Sequence, residues 1–222
     1  MNIYCLGDSL TSGYPGYSPS FDGISSGSGN IESQYQFWLK RYIQIFIRNN
    51  LKSIKTELIK ELTIINKGIP GEVSSELTKR MDKDLINNEP PADYCIIIIG
   101  TNDLLWGIKK EKVLNNIKKL HETCIKNNIT SIGATIPPIR NESSQKHYRT
   151  QKRELNQNLK DYFSKRRIPF SDLHKGMMNE HKNLKKFYAT TDGIHFTPEG
   201  YKKMGELIFV HAFREIIENE FN

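Results

Sequence analysis

Residues 94–99 read Tyr-Cys-Ile-Ile-Ile-Ile and stop at Gly100. A half-exposed strand alternates apolar and polar residues. An unbroken apolar run of this length instead reads as a strand buried on both faces, the pattern of a parallel sheet covered by helices.

The rest of the chain alternates strand and helix. Residues 3–6 form a short apolar run stopped by Gly7, and residues 62–65 a second strand ended by Asn66-Lys67-Gly68. Residues 129–134 and 168–173 read as the remaining strands. Over 36–51, Phe37, Ile43, Phe46 and Ile47 recur at helical spacing. Further helices are predicted over 74–87, which Pro90-Pro91 breaks, and over 111–126, 143–166 and 198–218. The last carries Pro198 in its first turn. Residues 13–30, rich in Gly, Ser, Pro and Tyr, read as a long loop whose composition permits a lid. This order implies a doubly wound or related three-layer α/β/α sandwich with a central parallel five-stranded sheet. The 222 residues fit one domain over 1–222.

A net charge of +7 raises nucleic acid or an anionic membrane as partners. The basic residues, however, are scattered along helical patterns. The densest run, Lys165-Arg166-Arg167, sits at a helix end, where cations suit the macrodipole. No aromatic–basic recognition motif accompanies them, so a solvated surface is expected and no nucleic-acid partner. Cys5, Cys95 and Cys124 form no C-x-x-C pair and no zinc spacing, which fits reduced thiols. No apolar stretch reaches 18 residues, so no stable membrane insertion is expected. The start resembles no signal peptide, and a cytoplasmic location is the expectation. Oligomeric state is not legible.

In open α/β sheets, functional groups gather beyond the carboxyl ends of the strands. Four segments fall at such places or in loops that reach them. Gly7-Asp8-Ser9-Leu10 follows the first strand and projects a serine from a rigid element. Its flanks are not G-x-S-x-G, and alone it also reads as a turn or helix N-cap. Asp8 is expected to order that turn rather than to act as an acid. Gly68-Ile69-Pro70-Gly71 follows the second strand, where a glycine presents a bare N–H. Gly100-Thr101-Asn102-Asp103 follows the isoleucine strand, and an asparagine amide is a neutral donor for an oxyanion. Alone it reads as a turn or cap. Asp192-Gly193-Ile194-His195 sets a carboxylate three residues from an imidazole, a spacing at which the acid can hold the ring's tautomer, while alone it reads as a structural histidine. His121 and Cys124, three apart on a predicted helix, read as surface or core residues.

Together, in this order, the segments resemble the SGNH hydrolases, also called the GDSL esterase/lipase family. Ser9 matches the nucleophile of its first block, Gly71 the glycine of the second, Asn102 the asparagine of the third, and Asp192 with His195 the final pair. Phe196-Thr197-Pro198-Glu199-Gly200-Tyr201 is similar to the family's usual continuation. The resemblance runs from Gly7 to the last helix. Thr101 departs from it modestly, since many members carry another small residue there. The resemblance implies an SGNH, flavodoxin-like hydrolase fold and hydrolysis of esters or thioesters without metal or other cofactor. The catalytic residues would be Ser9, His195 and Asp192. The oxyanion hole would be formed by the N–H groups of Ser9 and Gly71 and the amide of Asn102.

Aromatic and apolar residues in nearby loops suggest either an apolar or sugar-stacking site or simple packing of the loops against the body. They include Tyr14, Tyr35, Trp106, Ile136, Met177 and Phe187. The expected substrates are small-molecule esters with short or medium acyl groups, including acetylated carbohydrate. A lysophospholipase or acyl-thioesterase is the alternative, and a non-catalytic carbohydrate- or lipid-binding module a further one.

Overall fold

The computed structural model describes residues 1–22, 25–50 and 61–221. Five parallel strands form the main sheet: β1 (Asn2–Gly7), β2 (Thr63–Gly68), β3 (Tyr94–Ile98), β4 (Thr130–Ala134) and β5 (Phe170–Ser171). Their order across the sheet is β2-β1-β3-β4-β5. The described helices are α1 (Ser9–Ser12), α2 (Tyr35–Asn50), α3 (Ser74–Met81), α4 (Thr101–Leu105), α5 (Lys110–Lys126), α6 (Lys146–Arg166), α7 (Leu173–Met177), α8 (Pro198–Ile208) and α9 (Arg214–Phe221).

The isoleucine run is buried on both faces, as its lack of alternation requires. Ile96 and Ile98 pack with Leu39 and Ile43 of α2 and Met204 and Ile208 of α8. Cys95, Ile97 and Ile99 point the other way, into a second core with Leu77 of α3, Ile117 of α5 and Leu155 of α6. Each such fully buried side chain contributes about 1.5–3 kcal/mol of transfer free energy. The three cysteines are free and buried.

Strand register positions the site. Gly7 at the end of β1 pairs with Gly68 of β2 on one side and Ile98 of β3 on the other. The loops that follow these three strands therefore leave the sheet side by side. The chain turns to opposite sides of β1 to reach β2 and β3, which makes this edge a topological switch point, where such sheets open a crevice.

Several boundaries differ from those expected. Strand β2 continues through Asn66 because that side chain is satisfied inside: its amide donates to the Ser12 carbonyl at 3.1 Å and its oxygen accepts from Gly68 N–H at 3.0 Å. The helix expected over 74–87 is α-helical only to Met81 and goes on as a π turn, Asp82–Ile86. That expected over 198–218 is split by a π turn, Phe209–Phe213, whose wider winding leaves both terminal phenylalanines buried. Helix α6 starts at Lys146, because Glu142–Ser144 form a 3₁₀ turn that sends Glu142 inward. The last strand is only Phe170–Ser171, since Asp172 leaves it to cap α7, accepting from Lys175 N–H at 3.1 Å. Position 51, expected to end α2, lies outside the described residues. In the 13–30 loop, Tyr17–Ser18 pair antiparallel with Ser28–Gly29.

No helix among the described residues is long and apolar enough to cross a membrane.

Candidate active site

Ser9 is the first residue of α1. Asp8 caps that turn through a bond from Leu10 N–H at 3.0 Å, which is the ordering role expected of it. Burial pushes the Asp8 carboxyl up to about 7. Asn66, with Gln36 Nε2 donating to the Thr11 carbonyl at 2.8 Å, holds the turn to β2 and α2. As the first residue of a helix, Ser9 has a backbone N–H without an intrahelical acceptor. Gly7 precedes this turn because the backbones come close: a Cβ there would run into the carbonyl of Ile98.

The second loop is a turn closed by Glu72 N–H on the Ile69 carbonyl at 3.2 Å. Pro70 and Gly71 are its central residues. A proline with φ preset followed by a glycine with positive φ is the sequence of a type II turn, and Gly71 has φ +83°. Around Gly71 the space is open, with nothing within 4 Å of where a Cβ would stand. Among the described residues, neither Ser9 N–H nor Gly71 N–H donates to a protein acceptor.

Asn102 lies in the first turn of α4. Its Nδ2 donates to the Glu72 carbonyl at 2.9 Å, which engages one of two amide protons. The neighbouring Asp103 is buried and accepts from Ser74 twice, from N–H at 2.9 Å and from the hydroxyl at 2.6 Å. The third loop is thus tied to the second loop through Asn102 and to the start of α3 through Asp103.

The fourth segment folds back over the first. His195 Nε2 stands 2.9 Å from Ser9 Oγ, and His195 Nδ1 stands 2.6 Å from Asp192 Oδ2. The other oxygen of Asp192 accepts from Ile194 N–H at 2.8 Å, His195 N–H at 2.9 Å and Thr190 Oγ1 at 2.9 Å. Burial works to raise the Asp192 carboxyl, but these bonds, foremost that from the His195 ring, hold it well below the usual carboxylate range. With Asp192 an acceptor, Nδ1 carries the proton and Nε2 faces Ser9 with its lone pair. Ser9 is 5% exposed, whereas the Asp192 side chain is 42% exposed.

The turn is anchored on several sides. Phe196 is buried against Tyr201 of α8, and the Tyr201 hydroxyl donates to the Tyr14 carbonyl at 2.7 Å. Arg140 N–H donates to the Gly193 carbonyl at 2.8 Å, which joins the turn to the loop after β4. That loop is gripped from α6. Asn156 bonds both N–H and C=O of Ile136 at 2.8 and 2.9 Å, and the buried Lys152 bonds the Pro137 carbonyl at 2.9 Å and the Glu142 carboxylate.

A profile of the GDSL-like Lipase/Acylhydrolase family matches residues 5–203. The chain belongs to that family. Solved lipase and esterase structures share its fold. The lipase/acylhydrolase from Enterococcus faecalis is 24% identical, with TM-score 0.71 over 100% of this chain and 98% of that one. Axe2, an acetylxylan esterase from Geobacillus stearothermophilus, is 19% identical, with TM-score 0.71 over 95% and 93% of the two chains. Among curated proteins, the N-acylneuraminate cytidylyltransferase of Streptococcus agalactiae serotype III is 27% identical over 173 residues. That match takes in 73% of this GDSL-like chain but only 39% of the relative's length.

Three of the expected pocket residues are not in a pocket. Tyr35, Ile136 and Met177 are core residues. Tyr14, Trp106 and Phe187 are exposed in the loops that carry the site. Glu72, Ser74, Arg80 and Thr190 also hold the site, outside the residues that the motif blocks point to. Thr190 had a local signal, a hydroxyl two residues before Asp192, but the others act across loops. Among the described residues no group of three or more His, Cys, Asp and Glu is arranged to hold a metal ion.

Proposed function

We propose that this chain is a serine esterase that removes short or medium acyl groups, with acylated carbohydrate as its substrate class. The observation that carries the reading is the hydrogen-bonded line Ser9 Oγ–His195 Nε2–Asp192 at 2.9 and 2.6 Å, at the carboxyl edge of a parallel sheet. His195 takes the Ser9 hydroxyl proton as Oγ attacks the ester carbonyl carbon. The resulting oxyanion is held by the N–H groups of Ser9 and Gly71 and the free amide proton of Asn102. His195 then gives its proton to the departing alcohol, leaving Ser9 acylated. Water, losing a proton to His195, attacks the acyl group and releases the acid and free Ser9. Asp192 accepts Nδ1–H throughout.

Two comparisons support the sugar branch. One solved structure is that of an acetylxylan esterase, and the curated relative is named for N-acylneuraminate, an acylated sugar. Exposed Tyr14 and Trp106 beside the site suit stacking on a sugar ring.

The test is hydrolysis of p-nitrophenyl esters from acetate to decanoate, with acetylated xylo-oligosaccharide and O-acetylated N-acylneuraminate, beside Ser9→Ala. Release of acetate from a sugar that disappears in folded Ser9→Ala supports the proposal. Preference for long acyl chains or acyl thioesters moves it to the lysophospholipase or thioesterase reading. Equal inertness of both proteins sinks it.

A further inference from the structure

We infer that Arg80 is a positioning residue for Asn102, acting through Glu72; this rests on the esterase reading above. Arg80 belongs to none of the four motif blocks. It is on α3, with its side chain 12% exposed, and four of its five guanidinium N–H groups have fixed acceptors. Nε donates to Glu72 Oε1 at 2.5 Å and Nη2 to Glu72 Oε2 at 2.6 Å. Nη2 also donates to the Lys67 carbonyl on β2 at 2.8 Å, and Nη1 to Asp84 Oδ2 at 2.9 Å.

Glu72 follows Gly71 directly. Its side chain is clamped by the guanidinium fork, while its main-chain carbonyl receives Asn102 Nδ2 at 2.9 Å. A carbonyl can only accept, so this contact decides which end of the Asn102 amide faces Glu72 and where the second proton points. The position of the Glu72 carbonyl is in turn set by a carboxylate tied to the end of β2. One guanidinium thereby couples the sheet edge, the loop of Gly71 and the amide of Asn102. Lysine keeps the charge but not the planar fork, so Arg80→Lys removes the geometry selectively.

Oxyanion donors act mainly in the transition state, so their misplacement lowers kcat more than it raises KM. A full donor deletion lowers kcat about 10²–10³-fold. For Arg80→Lys the expectation is a kcat loss of about 10–100-fold with KM within about threefold. In an Asn102→Ala background the same substitution should lower kcat clearly less than it does in wild type, since the amide it positions is already gone and only its hold on the Gly71 loop remains.

A second readout needs no turnover. In protein labelled with ¹⁵N-asparagine, the side-chain NH₂ pair missing from Asn102→Ala identifies Asn102. That pair should shift in Arg80→Lys and in Glu72→Gln, the variant that serves if Arg80→Lys does not fold. Equal kcat losses in the two backgrounds, or unmoved Asn102 signals in a folded variant, would overturn the role of Arg80. If wild type hydrolyses no ester, the esterase reading falls, and the amide signals still decide whether Arg80 positions Asn102.

Discussion

The ring of Tyr14 meets the ring of His195 edge-on, with centroids 4.7 Å apart and planes at 67°. The loop that follows the candidate nucleophile therefore braces the candidate base. Edge-to-face pairs contribute about 0.5–1.5 kcal/mol, a factor of roughly 2–13. Tyr14→Ala should lower kcat/KM by about that factor. If kcat holds while KM rises, the ring serves the substrate instead of the histidine.

Asn102→Ala should lower kcat about 10²–10³-fold with KM little changed, the signature of one lost oxyanion donor. Steady-state kinetics on one ester decides it, and an unchanged kcat removes Asn102 from the site. Ser9→Ala should fall by about 10⁴-fold or more.

Asp192 is held well below the usual carboxylate range, so it stays ionised through the range in which an imidazole titrates. The acid limb of kcat/KM should fall by about one decade per pH unit, as for a single proton. A limb of two decades per unit would mean that Asp192 protonates alongside. Asp192→Asn presents an amide N–H to the ring and favours the wrong tautomer. The expected loss in kcat is about 10²–10⁴-fold, lower than for a buried acid because water reaches this one.

His121 is fully buried against Phe163, and its Nε2 has no hydrogen-bond partner among the described residues. Burial pushes the imidazole down to about 3. The folded state thus keeps His121 neutral, while the unfolded chain takes up its proton below about pH 6.5. Stability is full above that pH and lost on acidification from about 6.5 towards 3, by up to about 1.4 kcal/mol per pH unit. Ser131 Oγ pairs with His121 Nδ1, so urea midpoints across this window should fall less steeply in His121→Leu/Ser131→Ala, which removes both partners. Equal slopes would mean that His121 takes its proton in the folded state as readily as in the unfolded chain.

Lys152 and Glu142 form a fully buried pair under the loop after β4. Lys152→Met leaves the buried Glu142 carboxylate with His174 Nε2 at 3.5 Å and Ile139 N–H at 3.2 Å as its remaining partners, and should destabilise by up to about 3–5 kcal/mol. Lys152→Met/Glu142→Gln should recover part of that loss in chemical denaturation. An additive double variant would show that the pair does not couple.

The local sequence determined most of the layout. The isoleucine run required a strand covered on both faces, and Ser9, Gly71 and Asn102 follow strand ends that carry their own stop signals. Asp192 and His195 are close enough in sequence for their bond to be legible, because a short turn fixes both. Tertiary structure decided what depends on contacts between distant segments. Ser9 and His195 are 186 residues apart, and the packing of Phe196 and Tyr201, with the bond from Arg140 N–H to the Gly193 carbonyl, brings the turn over α1. The grip of Arg80 on Glu72 and of Asp103 on Ser74 belongs to the same class. So does the loss of Tyr35 and Met177 to the core, since an aromatic or methionine in a loop region has the same sequence signature whether it faces a pocket or a packed interior. Side-chain type sets which bonds a residue can form, but the register of Gly7 with Gly68 and Ile98 sets which partners come within reach.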